Sequence, residues 1–333
     1  MDKLKKPLCA LIAVVLLCPV FTASAYNSHK RVILGGVPFG LTMYTNGVIV
    51  VNVDDSYNSP ASEAGIKEND IITKANGTQI ASNEQLREII NSTDGEDIEL
   101  SVLRGKSPIS LSITPERNDD GEYTAGMWVR DSTAGLGTIT YFDESTMSFG
   151  ALGHGICDRD TGMLMPLGNG KIVKAEIISI NKAQKGVAGG LNGYMTEEPI
   201  GEMTVNNSYG VYGRYSCTPD GERMVCADND EITTGGAYIY TTLDDGEPQR
   251  YKAQIENLNL DDNTGQNMVI RVTDDRLLEK TGGIVQGMSG SPVIQDGKLI
   301  GAVTHVFVGS PDRGYGISIS NMLRCYEENC AIK

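Results

Sequence analysis

The chain is expected to be mainly β and to fold as two domains, on three observations. Its 333 residues suit two cores better than one. Its 39 glycines and 6% aromatic content suit a turn-rich β protein. From Gly126 on, short apolar runs alternate with Gly-rich turns, and long helical patterns are scarce until Ile319–Glu328.

The first 25 residues read as a leader. Lys3, Lys5 and Lys6 precede an apolar run from Leu8 to Phe21, and Ala23-Ser24-Ala25 has the small-x-small form of a cleavage site. The run is shorter than the ~20 residues of a comfortable membrane span. Cleavage after Ala25 is the expectation, with an uncleaved anchor as the alternative, and either places the bulk of the protein outside the cytoplasm. Removing the leader takes the formal charge from −15 to −17. Such acidity repels phosphate backbones and argues against a nucleic-acid partner.

Residues 31–115 form the first expected domain. Gly47–Val53 is a buried-strand pattern, and Asn76-Gly77 marks a tight turn between short strands. Ser82-Asn83-Glu84-Gln85 has capping-box form and opens a helix with Leu86, Ile89 and Ile90 on one face. Ile98–Leu103 and Pro108–Ile113 close the unit as strands. This succession resembles a PDZ domain. Pro38-Phe39-Gly40-Leu41 falls where that family has its carboxylate-binding loop. The resemblance implies that the amides of Phe39, Gly40 and Leu41 hold a peptide C-terminus, with the peptide added as a strand beside the Ser82–Asn91 helix. Asn69 replaces the family's usual Gly before Asp70, and Asn tolerates left-handed backbone. A structural β domain with an unused groove is the plainer alternative.

Asn118-Asp119-Asp120-Gly121 is a polar break, and the second domain is expected over residues 124–333. Its short strands at even spacing suggest a barrel or sandwich. Cys217 and Cys226 flank a plausible hairpin and could pair across it, as could Cys325 and Cys330 near the C-terminus. Cys157 would then be left over.

The chemistry concentrates near the C-terminus. In Gly287-Met288-Ser289-Gly290-Ser291-Pro292, glycines flank a serine. They permit the sharp bend that exposes Oγ and lets backbone N–H groups converge, as a serine nucleophile and its oxyanion hole require. Of the three histidines, His154 lies between glycines at the end of an apolar strand and is the better general base. His305 is closer in sequence, but the intervening strands are expected to carry it away from the turn. Asp158, Asp160, Asp274 and Asp275 are candidates to orient the imidazole. No H-E-x-x-H, P-loop or dinucleotide fingerprint occurs, so neither metal nor cofactor is expected. Gly186–Gly193 is Gly-rich and reads as a surface loop.

The serine segment resembles the nucleophile loop of chymotrypsin-like peptidases, with Met288 in place of their Asp. More specifically, GGIVQGMSGSP followed by GAVTHVFV resembles the SpoIVB peptidase family of endospore-forming bacteria, as does ALGHGI at 151–156. That family joins a PDZ domain to a serine peptidase domain. The resemblance implies a double β-barrel with His154, Asp274 and Ser289 as catalytic residues and the amides of Gly287 and Ser289 as the oxyanion hole. It implies secretion from the forespore into the space between its two membranes. There the family cuts the membrane-bound inhibitor of an intramembrane protease in sporulation signalling, and it cleaves itself. Met288 also supports a rival reading, a non-catalytic PDZ scaffold with a degenerate peptidase domain.

Overall fold

The computed structural model describes residues 30–54, 59–244, 246–261 and 264–330. The expected leader, 1–25, lies outside the described residues. Among those described, no helix is long and apolar enough to cross a membrane.

Two six-strand ladders close on themselves among the described residues. The first runs from Pro38–Val53 to Met127–Asp143, Ser148–Ala151, Gly210–Tyr215, Gly190–Asn207 and Leu167–Asn181, then back to Pro38–Val53. The second runs from Lys298–Val306 to Pro292–Gln295, Gly235–Thr241, Gln249–Leu258, Met268–Val272 and Arg313–Ser318, then back. Arg31–Leu34 and Arg223–Cys226 pair between them, the latter parallel to Lys298–Val306. This is the expected double barrel. Closure removes the exposed strand edges that an open sheet would carry.

The PDZ unit has its own core. Val48, Val50, Ile72, Ile98, Leu100 and Leu86 pack together, and the helix Asn83–Ser92 lies against them. Ser82 caps that helix, its Oγ accepting from Gln85 N at 3.2 Å. The Gln85 side chain reaches back to Ala81 N at 2.8 Å. Asn69 adopts φ +69° and Asn76 φ +47°, the left-handed backbone that asparagine accommodates. Asp70 receives both arms of the Arg104 guanidinium, at 2.8 and 2.7 Å.

Strand pairing crosses the boundary expected between the two domains. Residues 38–45 pair within the first barrel rather than within the PDZ sheet. Pro38–Val53 is one strand whose first half pairs on both sides, with Gly135–Thr138 and with Ile172–Lys174. Only its second half enters the PDZ sheet, through Val48 and Ile49 against Ile72 and Ile71. The cause is side-chain alternation. Phe39, Leu41 and Met43 face one way and enter the barrel core with Phe149 and Ile172. Full burial of each is worth about 1.5–3 kcal/mol. The PDZ unit is thus inserted between two adjacent barrel strands. No disulfide joins Cys217 to Cys226, and the Cys330 side chain lies outside what is described.

Candidate active site

Ser289 and His154 come from different barrels and meet at one cavity. It has a volume of about 460 Å³ and is lined among others by Leu41, Leu136, His154, Ile156, Val285, Gln286, Gly287, Ser289 and His305. Among the described residues, no Asp, Glu, Lys or Arg lines it.

The serine loop is built as its glycines suggested. Gly287 has φ +97° and Gly290 φ +94°. A Cβ on Gly290 would sit 1.9 Å from Thr138 O, so no side chain fits there. Met288 is fully buried in the second barrel's core. Ser289 Oγ donates to Thr304 O at 2.7 Å. Among the described residues, neither Gly287 N nor Ser289 N donates to a protein acceptor, whereas Met288 N, Gly290 N and Ser291 N all do. Ser291 is fully buried, its hydroxyl bonded to Thr241 Oγ1 at 2.9 Å, and is therefore structural.

His154 follows the strand Ser148–Ala151 on a turn in which Leu152 and Gly153 take φ +66° and +71°. Left-handed backbone in a leucine is an uncommon, strained state, and such strain concentrates at functional turns. His154 Nδ1 is 2.9 Å from Gly155 O. With the proton on Nδ1 donated to that carbonyl, Nε2 carries the lone pair that a base needs. Burial, with a smaller contribution from His305, pushes the His154 pKa down to about 4 despite the Gly155 bond. The imidazole is therefore neutral near pH 7 and able to accept a proton.

The candidate third residue is elsewhere. Asp274 caps the helix Asp275–Thr281, accepting from Arg276 N at 3.1 Å and from Lys252 N at 3.0 Å. Its oxygens also take Arg276 Nε and Nη2, at 3.0 and 2.9 Å. The Arg276 pair and these backbone bonds hold its carboxyl well below the usual range, against burial. Asp274 does not line the catalytic cavity. Its place in the motif reflects a helix start rather than contact with His154. Asp275 is the first residue of that same helix. Asp158 and Asp160 both pair with Arg130. Burial opposes ionisation of Asp158, but backbone N–H bonds from Thr161 and Asp160 and the Arg130 charge outweigh it and lower its pKa. Among the described residues, the partner recorded for His154 Nδ1 is a carbonyl, not a carboxylate.

His305 corrects a second expectation. The strand Lys298–Val306 brings it to His154 instead of away, with ring centroids 4.7 Å apart and planes tilted by 38°. Desolvation lowers its pKa too. Residues 186–193 are also more than a surface loop. Leu191 N donates to Gln286 O and Gln286 N to Gly189 O, which braces the residue before Gly287. Neither role had a local signal, because both depend on strands distant in sequence.

The carboxylate loop assigned to Phe39, Gly40 and Leu41 is not one. Those residues lie near the start of the strand Pro38–Val53 with partners on both sides, so their amides serve the barrel ladder. Phe39 is fully buried, and a Cβ on Gly40 would meet Met195 Cγ at 2.3 Å. Leu41 instead lines the catalytic cavity. The groove beside the Asn83–Ser92 helix is walled by Tyr123, Thr124, Ala125, Met127 and Val129, with a volume of about 270 Å³. Gly126, at φ +70°, makes the turn that leads into this wall. Residues from beyond the polar break thus hold the position expected of residues 38–41.

Family models match both a peptidase and a PDZ region, and the PDZ match includes residues 38–45 of the first barrel. The family model for SpoIVB peptidase S55 matches residues 121–323, and that for the PDZ domain matches 35–114. Serine protease HTRA1 of Xenopus tropicalis is 35% identical over 72 residues, 22% of this chain and 15% of that protein. A Nostoc sp. protein named as a zinc metalloprotease is 34% identical over 79 residues, 22% of each chain. This chain thus spans less than a quarter of the length of the curated relatives it matches. Among solved structures, the active form of the Rv3671c protease of M. tuberculosis aligns with 58% of this chain and 72% of that one. Its identity is 14% and its TM-score 0.35. The PDZ domain of an SdrC-like protein of Listeria monocytogenes aligns with 25% of this chain and 87% of that one, at 22% identity and a TM-score of 0.23.

Proposed function

The chain belongs to the SpoIVB peptidase family, a serine peptidase carrying a PDZ domain, and we propose that it is a secreted endopeptidase of sporulation signalling with Ser289 as nucleophile. The observation that carries the catalytic part is the meeting of Ser289, His154 and two unengaged amides at one charge-free cleft.

In this reading Ser289 Oγ turns from Thr304 O toward His154 and attacks the scissile carbonyl carbon. His154 Nε2 takes the hydroxyl proton and Gly155 O steadies Nδ1–H. The carbonyl oxygen gains the negative charge, and the amides of Gly287 and Ser289 hold it. Collapse breaks the C–N bond, and His154 returns the proton to the leaving amine. Water then repeats the sequence on the acyl-enzyme. A backbone carbonyl stands here where chymotrypsin-like enzymes use an aspartate.

The substrate proposed is a membrane-associated protein, the inhibitory subunit of an intramembrane protease, cut in the space between the two forespore membranes. The PDZ groove would deliver substrate C-termini, or the chain's own terminus during self-cleavage. The family relationship supports both. Reaction with a fluorophosphonate tests the catalytic core. Labelling of the wild type, its loss in Ser289→Ala and its strong slowing in His154→Ala are expected. A folded wild type that stays unlabelled would favour the scaffold reading.

A further inference from the structure

We infer that Thr138 and Thr140 act as positioning residues for the oxyanion loop, clamping it across the barrel junction; this rests on the assignment of Ser289 as nucleophile. Both lie on the strand Met127–Asp143 of the first barrel, and both are essentially unexposed, at 2% and 0%. Thr138 Oγ1 donates to Gly287 O at 2.8 Å. Thr138 N donates to Ser289 O at 2.9 Å. Thr140 Oγ1 donates to Gly290 O at 2.8 Å. The carbonyls of three residues in the GMSG turn are thus held from the opposite barrel.

These bonds bear on the two oxyanion donors. The Ser289 amide lies in the peptide plane between residues 288 and 289. Thr138 holds the planes on both sides of it, through Gly287 O and Ser289 O. Gly287 and Gly290 carry no Cβ and have positive φ, so their own backbone does little to resist rotation of these planes. Something outside the loop must therefore set them. Chymotrypsin-like enzymes have an ionised residue before the serine, and here Met288 supplies only an apolar anchor in the core. Two buried hydroxyls do the orienting in its place. They cost less to bury than a charge, provided each is hydrogen-bonded, as both are.

Thr138 also reaches the base. Its carbonyl accepts from Leu152 N at 3.3 Å, at the start of the strained turn that presents His154. One residue thus contacts the nucleophile loop with two groups and the histidine turn with a third. The oxyanion hole is complete only when the barrels are docked.

Thr138→Val keeps the shape and removes the hydroxyl, and Thr138→Ser keeps the hydroxyl. Each would be measured for kcat and KM on a peptide substrate and for its rate of fluorophosphonate labelling. Removal of a direct oxyanion donor lowers kcat by about 10²–10³. Loss of an orienting bond should cost less, so Thr138→Val is expected to lower kcat and the labelling rate by roughly 10–100-fold, with KM within about twofold. Thr138→Ser should return both rates to within a few-fold of wild type. If Thr138→Val does not fold, the same pair at Thr140 decides. A labelled wild type with a folded Val variant reacting at the same rate overturns the clamp alone. Equal losses in the Val and Ser variants would also overturn it, because they assign the effect to packing. An unlabelled wild type overturns the peptidase assignment and the clamp with it.

Discussion

The hydroxyl of Ser289 donates to the carbonyl oxygen of Thr304 at 2.7 Å, not to His154. The nucleophile therefore rests on the strand Lys298–Val306 of its own barrel, while the base waits on the other. Rotation about a single side-chain bond separates this state from a reactive one, and rotamer changes of this kind are fast compared with turnover.

Among the described residues the Ser289 hydroxyl hydrogen-bonds to Thr304 O alone, so Ser289→Ala should abolish cleavage and leave the melting temperature nearly unchanged. Ser291→Ala should do the reverse. It leaves Thr241 Oγ1 without its buried partner, a loss of about 1–3 kcal/mol, yet cleavage should persist. Progress curves and thermal melts of the two variants check this, and the opposite pattern would move the nucleophile to Ser291.

His154 has its pKa lowered from 6.5 to about 4, chiefly by burial. Activity needs the neutral ring, so kcat/KM should hold as pH falls through 6.5 and decline only near pH 4. The ring's contribution to stability has the same sign. An unfolded chain takes up the proton at 6.5 and the folded one only near 4, so stability falls with pH across that window. His305→Ala should move the acid limb of activity upward, since it admits water and removes a neighbouring charge. A limb that stays at 6.5 in the wild type would mean that His154 is solvated in the working enzyme.

Asp274 is a helix cap, and its substitution should act on stability. Asp274→Asn removes charge-assisted bonds to Arg276 and Lys252 N and should lower stability by about 1–3 kcal/mol near pH 7, with kcat within a few-fold. The carboxyl is held below its usual range. Its contribution is therefore complete above the ordinary carboxylate pKa of 3.8 and is lost as pH falls below it. The variant and wild type should converge in melting temperature at low pH. A fall in kcat of about 10⁴ with unchanged melting would instead make Asp274 the orienter of His154.

Gly40 and the groove beside the Asn83–Ser92 helix separate by experiment. Gly40→Leu places atoms where Met195 already packs, so it should give unfolded or insoluble protein rather than a blocked groove. Arg87 lines the groove from its exposed edge. Arg87→Glu should weaken capture of a peptide C-terminus by roughly 3–10-fold, the scale of an exposed charge contact, with Ser289 labelling unchanged. Titration of a fluorescent C-terminal peptide provides the readout, and unchanged affinity would place recognition elsewhere.

Among the described residues the catalytic cleft is lined by no Asp, Glu, Lys or Arg, and its two histidines have lowered pKa values. Peptides with apolar residues beside the scissile bond should be cleaved faster than those with Lys or Glu there. Transfer of an unpaired charge into such a site costs several kcal/mol. A peptide library scored by mass spectrometry tests this, and a preference for a charged residue would show that substrate binds outside the cleft.

Local physics made much of this protein legible in the chain. The Gly287 and Gly290 conformations follow from what a residue without Cβ can do, and so does the exposure of Ser289 between them. The Ser82 cap, the Asn76-Gly77 turn and the apolar face of Leu86 and Ile90 are likewise short-range. Period-2 burial at Phe39, Leu41 and Met43 could be read as a strand, but not as a strand of one particular sheet, since alternation names a face and no partner. Register and partner came from closure of the barrel, and closure drew residues 38–45 out of the PDZ sheet. It turned Phe39, Gly40 and Leu41 from a binding loop into a ladder. The same long-range pairing brought His305 onto His154 and set Thr138 and Thr140 behind the serine loop. Sequence alone thus determined which residues can do the chemistry. Tertiary structure decided which of them meet, because contact across two barrels depends on strand pairing between segments more than a hundred residues apart, and no local pattern encodes it.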